Sequence, residues 1–212
     1  MYELYGRKGA GSMVVEAVLE ECAVPYKLSE VKRDASRMPP ADYYAVNPLG
    51  QVPALKLPDG SVMTESAAIV LYLADKFSEA NLAPSSSAAL RPQFLRWLVY
   101  LATNIYMTDL RIYYCDRYTT RAADAANIKE AAVKAVAREW EVYAAELASR
   151  PYMLGEQFSI VDIYAAMLAT WNVDVPAFFR KHPNIGACYE RVVARPAVAR
   201  VWHRHQVEFK RN

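Results

Sequence analysis

The stretch NPLGQVPALKLPDGSVMTESAA, residues 47–68, decides the fold of this chain. Two prolines and a glycine mark a turn, and an apolar strand pattern begins directly after them. An Asp-Gly pair then separates two short apolar runs, which predicts antiparallel strands at 54–57 and 61–63 joined by a tight turn. A helical pattern follows from about Thr64. This order of strand, turn, strand and helix is typical of a small α/β unit.

The same stretch contains groups that suit a peptide ligand. We predict a cis bond between Val52 and Pro53, which leaves the amide and carbonyl of Val52 able to pair with the backbone of a ligand. The amides at the helix start beside Glu65 and Ser66 favour a carboxylate, and the Glu65 side chain can accept from an ammonium group. The expected ligand is therefore a peptide with a carboxylate and an amine.

Four sequence blocks resemble the cytosolic glutathione S-transferases, most closely the bacterial beta class. They are YGRKGAGS at 5–12, DYYAVNPLGQVPAL at 42–55, TESAAIVLYLAD at 64–75 and GEQFSIVDIY at 155–164. The resemblance implies an α/β N-terminal thioredoxin-like domain that binds glutathione, plus an all-α C-terminal domain that shapes the site for a second substrate. It also implies a homodimeric enzyme that adds the glutathione thiolate to small hydrophobic electrophiles.

The chain divides where its composition changes. Residues 79–92 are poor in apolar residues and contain serines and two prolines, and every later segment has helical periodicity. We therefore predict a first domain at 1–80, a linker at 81–92 and a helical domain at 93–212. Helical patterns in that domain cover 94–118, 123–147, 160–171, 183–194 and 197–207. Ser159 and Asp162 have the spacing of a capping box at the start of one helix.

Composition excludes several classes of function. The net charge is only +2 and the basic residues are scattered among acids, so we expect no nucleic-acid partner. No apolar run reaches ~18 residues and the N-terminus lacks a signal-peptide pattern, so we expect a cytoplasmic protein without a membrane partner. The three cysteines are far apart, which indicates reduced thiols and neither a disulfide framework nor a metal site.

The chemistry implied by the resemblance needs a group that activates a thiol. An unperturbed thiol has a pKa of about 8.5, so only a few per cent is thiolate at neutral pH. Ser12 follows a glycine-rich loop at the start of the first helix, and a hydroxyl hydrogen bond to a charged group is worth ~1.5–3 kcal/mol. Gly11 stands where beta-class relatives usually carry a cysteine. The alternatives are that Ser12 only caps the helix and that Tyr5, at the end of the first strand, is the thiolate donor.

The remaining site residues are implied by the resemblance. Beta-class enzymes commonly place a histidine and a lysine beside the thiol where this chain has Tyr106 and Met107. We expect Tyr106, Tyr113 and Trp171 to form apolar walls for the second substrate, although an aromatic stripe is more often core. The predicted glutathione-binding residues are Gly11, Gln51, Val52, Pro53, Glu65, Ser66, Thr103 and Tyr106.

The three histidines lie near the end of the chain, so a serine or cysteine nucleophile in the first domain has no obvious histidine partner, and hydrolase chemistry is disfavoured.

Two other functions remain open. A glutathione-dependent isomerase or reductase would share the whole first domain. A non-catalytic glutathione-binding protein of the same fold is the other alternative, because the cysteine, histidine and lysine of the beta class are all replaced.

Overall fold

The computed structural model of the chain describes residues 1–207, which form two compact units. The first unit comprises Met1–Ala88 and the described part of Val192–Phe209, and the second comprises Ala89–Arg191. One segment is grouped differently from the predicted domains at 1–80 and 93–212. The last described helix lies with the first unit, whereas the sequence predicted that it belongs to the helical domain.

The first unit is built on a four-stranded mixed sheet with the strand order β2-β1-β3-β4. The parallel pair of β1 and β2 is joined by a helix, as a parallel connection requires, and the other two strands form an antiparallel hairpin. The predicted hairpin and the thioredoxin-like α/β fold are therefore confirmed. The elements are β1 (Tyr2–Gly6), α1 (Ser12–Glu21), β2 (Tyr26–Glu30), a 3-10 turn (Ala41–Ala45), β3 (Ala54–Lys56), β4 (Val62–Met63) and α2 (Ser66–Lys76).

The core of this unit lies between the sheet and its helices. Leu4 and Leu55 point to the covered face and are fully buried. On α1, the fully buried apolar residues include Val14, Val18 and Leu19. Removing a side chain of this size from water contributes roughly 1.5–3 kcal/mol. This packing fixes the end of β1 relative to the start of α1, where the candidate site lies.

The regular secondary structure of the second unit consists of helices. Its helices are α3 (Arg91–Tyr100), α4 (Tyr106–Tyr113), α5 (Ala125–Leu147), α6 (Ile160–Ala169), α7 (Val175–Lys181) and α8 (Pro183–Val193). The sequence predicts one continuous helix over 94–118, but a π-helical turn at Leu101–Ile105 separates α3 from α4, and α4 ends at Tyr113. The short helix α7 has no counterpart among the predicted helices.

The predicted capping box at the start of α6 is confirmed. The Ser159 amide donates to Asp162 Oδ2 at 2.9 Å, and the Val161 amide donates to Ser159 Oγ at 3.3 Å. The Met153 amide donates to the other carboxylate oxygen at 2.8 Å. Burial raises the pKa of Asp162 to about 6 in spite of these hydrogen bonds. The carboxylate therefore ties the chain before α6 to the helix start.

The last described helix, α9 (Pro196–His205), packs on α1 through a row of ion pairs. Basic residues on α9, together with Arg195 just before it, meet acidic residues on α1, so the facing sides of the two helices carry opposite charges. The pairs are Arg195 with Glu21 at 2.6 Å, Arg200 with Glu20 at 2.9 Å and Arg204 with Glu16 at 2.6 Å. These contacts explain why α9 belongs to the first unit.

Candidate functional site

Three loops of the first unit meet at one end of its sheet. Tyr5 on β1 lies opposite Ala54 on β3, and Leu55 on β3 lies opposite Met63 on β4. Because β3 runs antiparallel to both neighbours, the loop after β1, the segment before β3 and the segment after β4 share this end. The predicted residues at this end are Gly11, Ser12, Gln51, Val52, Pro53, Glu65 and Ser66.

The segment before β3 is held by buried donors. The bond between Val52 and Pro53 is cis, as the sequence predicts. The Gln51 carbonyl accepts from the Tyr43 hydroxyl at 2.8 Å and from Asn47 Nδ2 at 2.8 Å. Tyr43 and Asn47 are both buried, so they leave this carbonyl little freedom. The main chain that enters β3 is therefore fixed in advance of any ligand.

The start of α2 combines an unusual backbone with an exposed carboxylate. Glu65 occupies the N-cap position with φ of 63° and ψ of 101°, a region that favours glycine. Such a conformation costs of order 1–3 kcal/mol and is often found at ligand sites. The first amides of a helix lack intrahelical acceptors, so the amides that follow Glu65 suit an anionic group.

The Ser12 side chain is engaged with its own loop. Its hydroxyl donates to the Arg7 carbonyl at 3.1 Å, and the Arg7 amide donates to Ser12 Oγ at 3.1 Å. The residue is 1% exposed, and a Cβ on Gly6 would lie 2.8 Å from Ser12 Oγ. The N-cap position is taken by Gly11 without a side-chain cap bond, so Ser12 does not act as the helix cap. A hydroxyl has one hydrogen, so donation to a thiolate requires release of the Arg7 carbonyl.

Tyr5 lies on the opposite face of the sheet from Ser12. Side chains alternate along β1, so Tyr5 points away from the face where Gly6 meets Ser12. The Tyr5 ring lies 5.9 Å from the ring of Tyr43. Burial raises the pKa of Tyr5, and the nearby Glu3 carboxylate raises it further. The two candidate donors therefore occupy separate environments.

His205 is a contact of this site that the sequence analysis missed. The Gly9 amide donates to His205 Nδ1 at 3.0 Å, and His205 Nε2 lies 2.8 Å from Glu16 Oε2. Glu16 is fully buried. A charged residue among the apolar residues of α1 is the only feature of the sequence that indicates a buried partner here. His205 contacts the loop backbone and not a serine or cysteine side chain.

Glu16 is the anionic centre of this arrangement. Burial favours the neutral carboxyl, but hydrogen bonds from His205 and Arg204 outweigh burial and hold the pKa of Glu16 below its usual value. Arg204 Nε lies 2.6 Å from Glu16 Oε1. Glu16 is therefore a carboxylate that binds two residues of α9.

The predicted site residues of the second unit lie around the π-helical turn. Thr103 is exposed within that turn and donates through Oγ1 to the Val99 carbonyl at 2.9 Å. Tyr106 begins α4, and its ring centroid lies 5.0 Å from that of Trp171. Single π-helical turns are rare and frequently occur at functional sites.

The second unit also contains a cavity of about 290 Å³ beside α4, α5 and α7. Tyr113 and Trp171 line it, and the Tyr113 hydroxyl donates to the Trp171 carbonyl, whereas Tyr106 is outside the lining. Asp109 also lines the cavity and is 4% exposed. Burial, with a smaller contribution from Glu139, raises the pKa of Asp109 to about 8. The cavity lining is therefore mostly apolar, and its Asp109 carboxyl is mostly neutral at pH 7.

The described residues contain neither a metal-binding cluster nor a helix suited to span a membrane. Within residues 1–207, no group of three or more histidine, cysteine, aspartate or glutamate side chains is arranged to hold a metal ion. In the same part of the chain, no helix combines the length and the apolar character that crossing a membrane demands.

Each of the two units matches a known protein family domain. Residues 12–76 match the glutathione S-transferase N-terminal domain, and residues 101–196 match the glutathione S-transferase C-terminal domain. The Escherichia coli K12 protein named uncharacterized GST-like protein YncG is 31% identical over 98% of this chain and 100% of its own length. Glutathione S-transferase GstA of Escherichia coli O157:H7 is 29% identical over 92% of this chain and 94% of its own.

Solved structures show the same likeness. A glutathione transferase from Methylococcus capsulatus (Bath) is 31% identical with a TM-score of 0.82, covering 98% of this chain and 100% of its own. A glutathione transferase homologue from Sulfitobacter, solved with bound glutathione, is 27% identical with a TM-score of 0.87, covering 96% of this chain and 98% of its own. Because the matches extend over both units and nearly the full length, the chain belongs to the glutathione S-transferase family.

Proposed function

We propose that this protein is a glutathione transferase that adds the glutathione thiolate to small, largely apolar electrophiles. The observation that carries the proposal is the convergence of three loops at one end of the sheet, with the Gln51 carbonyl held by two buried donors. The Sulfitobacter homologue has glutathione bound and a TM-score of 0.87 to this chain, which supports glutathione as the ligand.

Glutathione binding uses complementary groups along this end of the sheet. The backbone of Val52, before the cis bond to Pro53, pairs with the peptide backbone of the ligand. The amides at Glu65 and Ser66 receive a carboxylate, and the exposed Glu65 side chain accepts from the ammonium group. Gly11 allows close approach of the sulfur to the loop.

Thiol activation requires stabilisation of the thiolate over the thiol. A fall of two pKa units corresponds to ~2.7 kcal/mol, which one or two hydrogen bonds to a charged sulfur supply. In our proposal the Ser12 hydroxyl turns from the Arg7 carbonyl to the sulfur, and the first amides of α1 add to the stabilisation. The thiol proton passes to solvent. Tyr5 stays the alternative donor.

The reaction then forms one bond and breaks one. The thiolate attacks an electrophilic carbon of the second substrate, a carbon–sulfur bond forms, and the bond to the leaving group breaks with its electron pair. A halide departs as the anion, whereas an opened epoxide takes a proton from water. Tyr106, Tyr113 and Trp171 form apolar walls for this substrate, and the contacts of Tyr106 and of Tyr113 with Trp171 support this grouping.

A non-catalytic role in glutathione binding is the second candidate. One observation favours it, since the only hydrogen of the Ser12 hydroxyl is already donated to the Arg7 carbonyl. A homodimer in the cytoplasm is the setting that the family resemblance implies for either role. Sedimentation of the purified protein tests the dimer.

The test combines binding, ionisation and turnover. Calorimetry measures the association with glutathione, ultraviolet absorbance against pH measures the pKa of the bound thiol, and mass spectrometry detects the thioether formed from an aryl halide or an epoxide. We expect binding, a thiol pKa below ~8.5 and accelerated conjugation. Binding without faster conjugation favours the non-catalytic role or, where a panel of substrates shows it, an isomerase or reductase. Absence of binding at millimolar glutathione overturns the proposal.

A further inference from the structure

The loop that carries Ser12 contains a tight turn that forms hydrogen bonds with residues outside the loop. The Ala10 amide donates to the Arg7 carbonyl at 3.2 Å and closes a four-residue turn with Gly9 at its third position. Gly9 has φ of +68°, which a type II turn requires at that position. A Cβ at Gly9 would meet no atom within 4 Å, so the positive φ and not a close contact accounts for glycine at this position.

These hydrogen bonds come from the end of α9. The Gly9 amide, which belongs to the central peptide of the turn, donates to His205 Nδ1 at 3.0 Å. The neighbouring Lys8 ammonium donates to Gln206 Oε1. The orientation of the central peptide distinguishes type II from type I turns, so an acceptor at this amide selects between them.

The hydrogen bonds also determine where the imidazole carries its hydrogen. A backbone amide only donates, so His205 Nδ1 acts as the acceptor and the ring hydrogen is on Nε2. Nε2 lies 2.8 Å from Glu16 Oε2, and Glu16 is fully buried and also bound to Arg204. The carboxylate thus fixes both the tautomer and the orientation of the ring.

We propose that His205, oriented by Glu16, is a positioning residue for the thiol site. It holds the Arg7–Ala10 turn in the conformation that places the Arg7 backbone and the Ser12 hydroxyl at the end of the sheet. The Arg7 carbonyl is the shared acceptor of the Ala10 amide and of Ser12 Oγ, so movement of the turn displaces Ser12 directly. This inference rests on the proposed function, because it assigns the loop a role in thiolate stabilisation.

Two substitutions separate the two hydrogen bonds of the ring. In His205→Asn the side-chain oxygen takes the place of Nδ1 and still accepts from Gly9, but the side chain is too short to reach Glu16. In His205→Gln the amide nitrogen takes the place of Nε2 and still donates to Glu16, but the acceptor for Gly9 is lost. His203→Gln is the matched control, since His203 is an exposed residue of the same helix turn.

The measurement is the pKa of the glutathione thiol bound to each variant, with the glutathione dissociation constant measured alongside. Loss of one neutral hydrogen bond corresponds to a roughly threefold to tenfold change. We therefore expect His205→Gln to lower the thiolate fraction and kcat at neutral pH by that factor. We expect the KM for glutathione to change little, and His205→Asn to retain more thiolate than His205→Gln. His203→Gln should match the wild type.

Equal thiol pKa values in the wild type, His205→Gln and His205→Asn overturn the inference, and so does a larger effect in His205→Asn. A wild type that does not bind glutathione or does not lower its thiol pKa overturns the proposed function instead. The positioning step is also tested without glutathione and without variants. Proton–nitrogen spectra of the wild type should show the Nε2–H tautomer of His205 and slow exchange of the Gly9 amide; the Nδ1–H tautomer or fast exchange overturns that step.

Discussion

The Ser12 hydroxyl and the Arg7 backbone bind each other in both directions, with donor–acceptor distances of 3.1 Å each way. The arrangement closes the loop between β1 and α1 and gives the hydroxyl two partners before any ligand arrives. A thiolate therefore competes with the Arg7 carbonyl for one hydrogen. The hydroxyl binds the charged thiolate more strongly than the neutral carbonyl, because hydrogen bonds to charged groups are worth ~1.5–3 kcal/mol against ~0.5–1.5 kcal/mol for neutral pairs.

Replacement of the hydroxyl tests this competition. We expect Ser12→Ala to raise the thiol pKa of bound glutathione by about one unit, because the thiolate loses a hydrogen-bond donor. This increase should be larger than the one caused by Tyr5→Phe. Ultraviolet titration of the thiolate gives both values. The reverse order would transfer the role to Tyr5, which lies on the other face of the sheet.

The same substitution also affects folding, so its stability needs a separate measurement. Ser12→Ala removes two hydrogen bonds and leaves the half-buried amide and carbonyl of Arg7 with one partner fewer each, which costs about 1–3 kcal/mol of unfolding free energy. Urea unfolding measures this loss. Ser12→Thr keeps the hydroxyl and serves as the control for a purely structural effect.

The strained residue at the start of α2 allows binding and stability to be separated. Glu65→Gly relieves a positive φ of 63°, so we expect thermal stability equal to or above that of the wild type. The same change removes the acceptor for the ammonium group, so glutathione affinity should fall by about tenfold or more. Glu65→Gln, which keeps the strain, should lose affinity without gaining stability. Unchanged affinity in both variants would remove Glu65 from the proposed site.

Local signals predicted the parts of the fold that depend on neighbours in sequence. The Asp-Gly turn predicted the hairpin, and the spacing of Ser159 and Asp162 predicted the cap of α6. The π-helical turn at Leu101–Ile105 was missed because its residues fit an ordinary helical pattern. The bond from Gly9 to His205 joins residues 196 positions apart, and no local pattern contains that information.

The capping box should matter for stability and not for chemistry. Ser159→Ala removes the acceptor for the Val161 amide and a partner of Asp162, so we expect a loss of about 0.5–2 kcal/mol. The kcat of the folded fraction should stay at the wild-type value. Denaturant unfolding and turnover measured on the same preparation provide the comparison. A variant with normal stability and no activity would assign this segment to the active site.

Asp109 gives the chain a pH dependence of stability with a definite sign. Its pKa is about 8 in the folded protein, raised chiefly by burial, whereas the unfolded value is near 3.8. Between these values the folded state binds more protons than the unfolded state, so stability falls as pH rises, by at most about 1.4 kcal/mol per pH unit. Asp109→Asn cannot ionise, so this variant should gain stability relative to the wild type as pH rises from 5 to 8.5. Well below pH 3.8 the Asp109 carboxyl is protonated in both the folded and the unfolded protein. There the difference in unfolding free energy between wild type and variant should no longer change with pH. Urea unfolding at several pH values measures the two curves, and parallel curves for wild type and variant would show that Asp109 ionises normally in the folded chain.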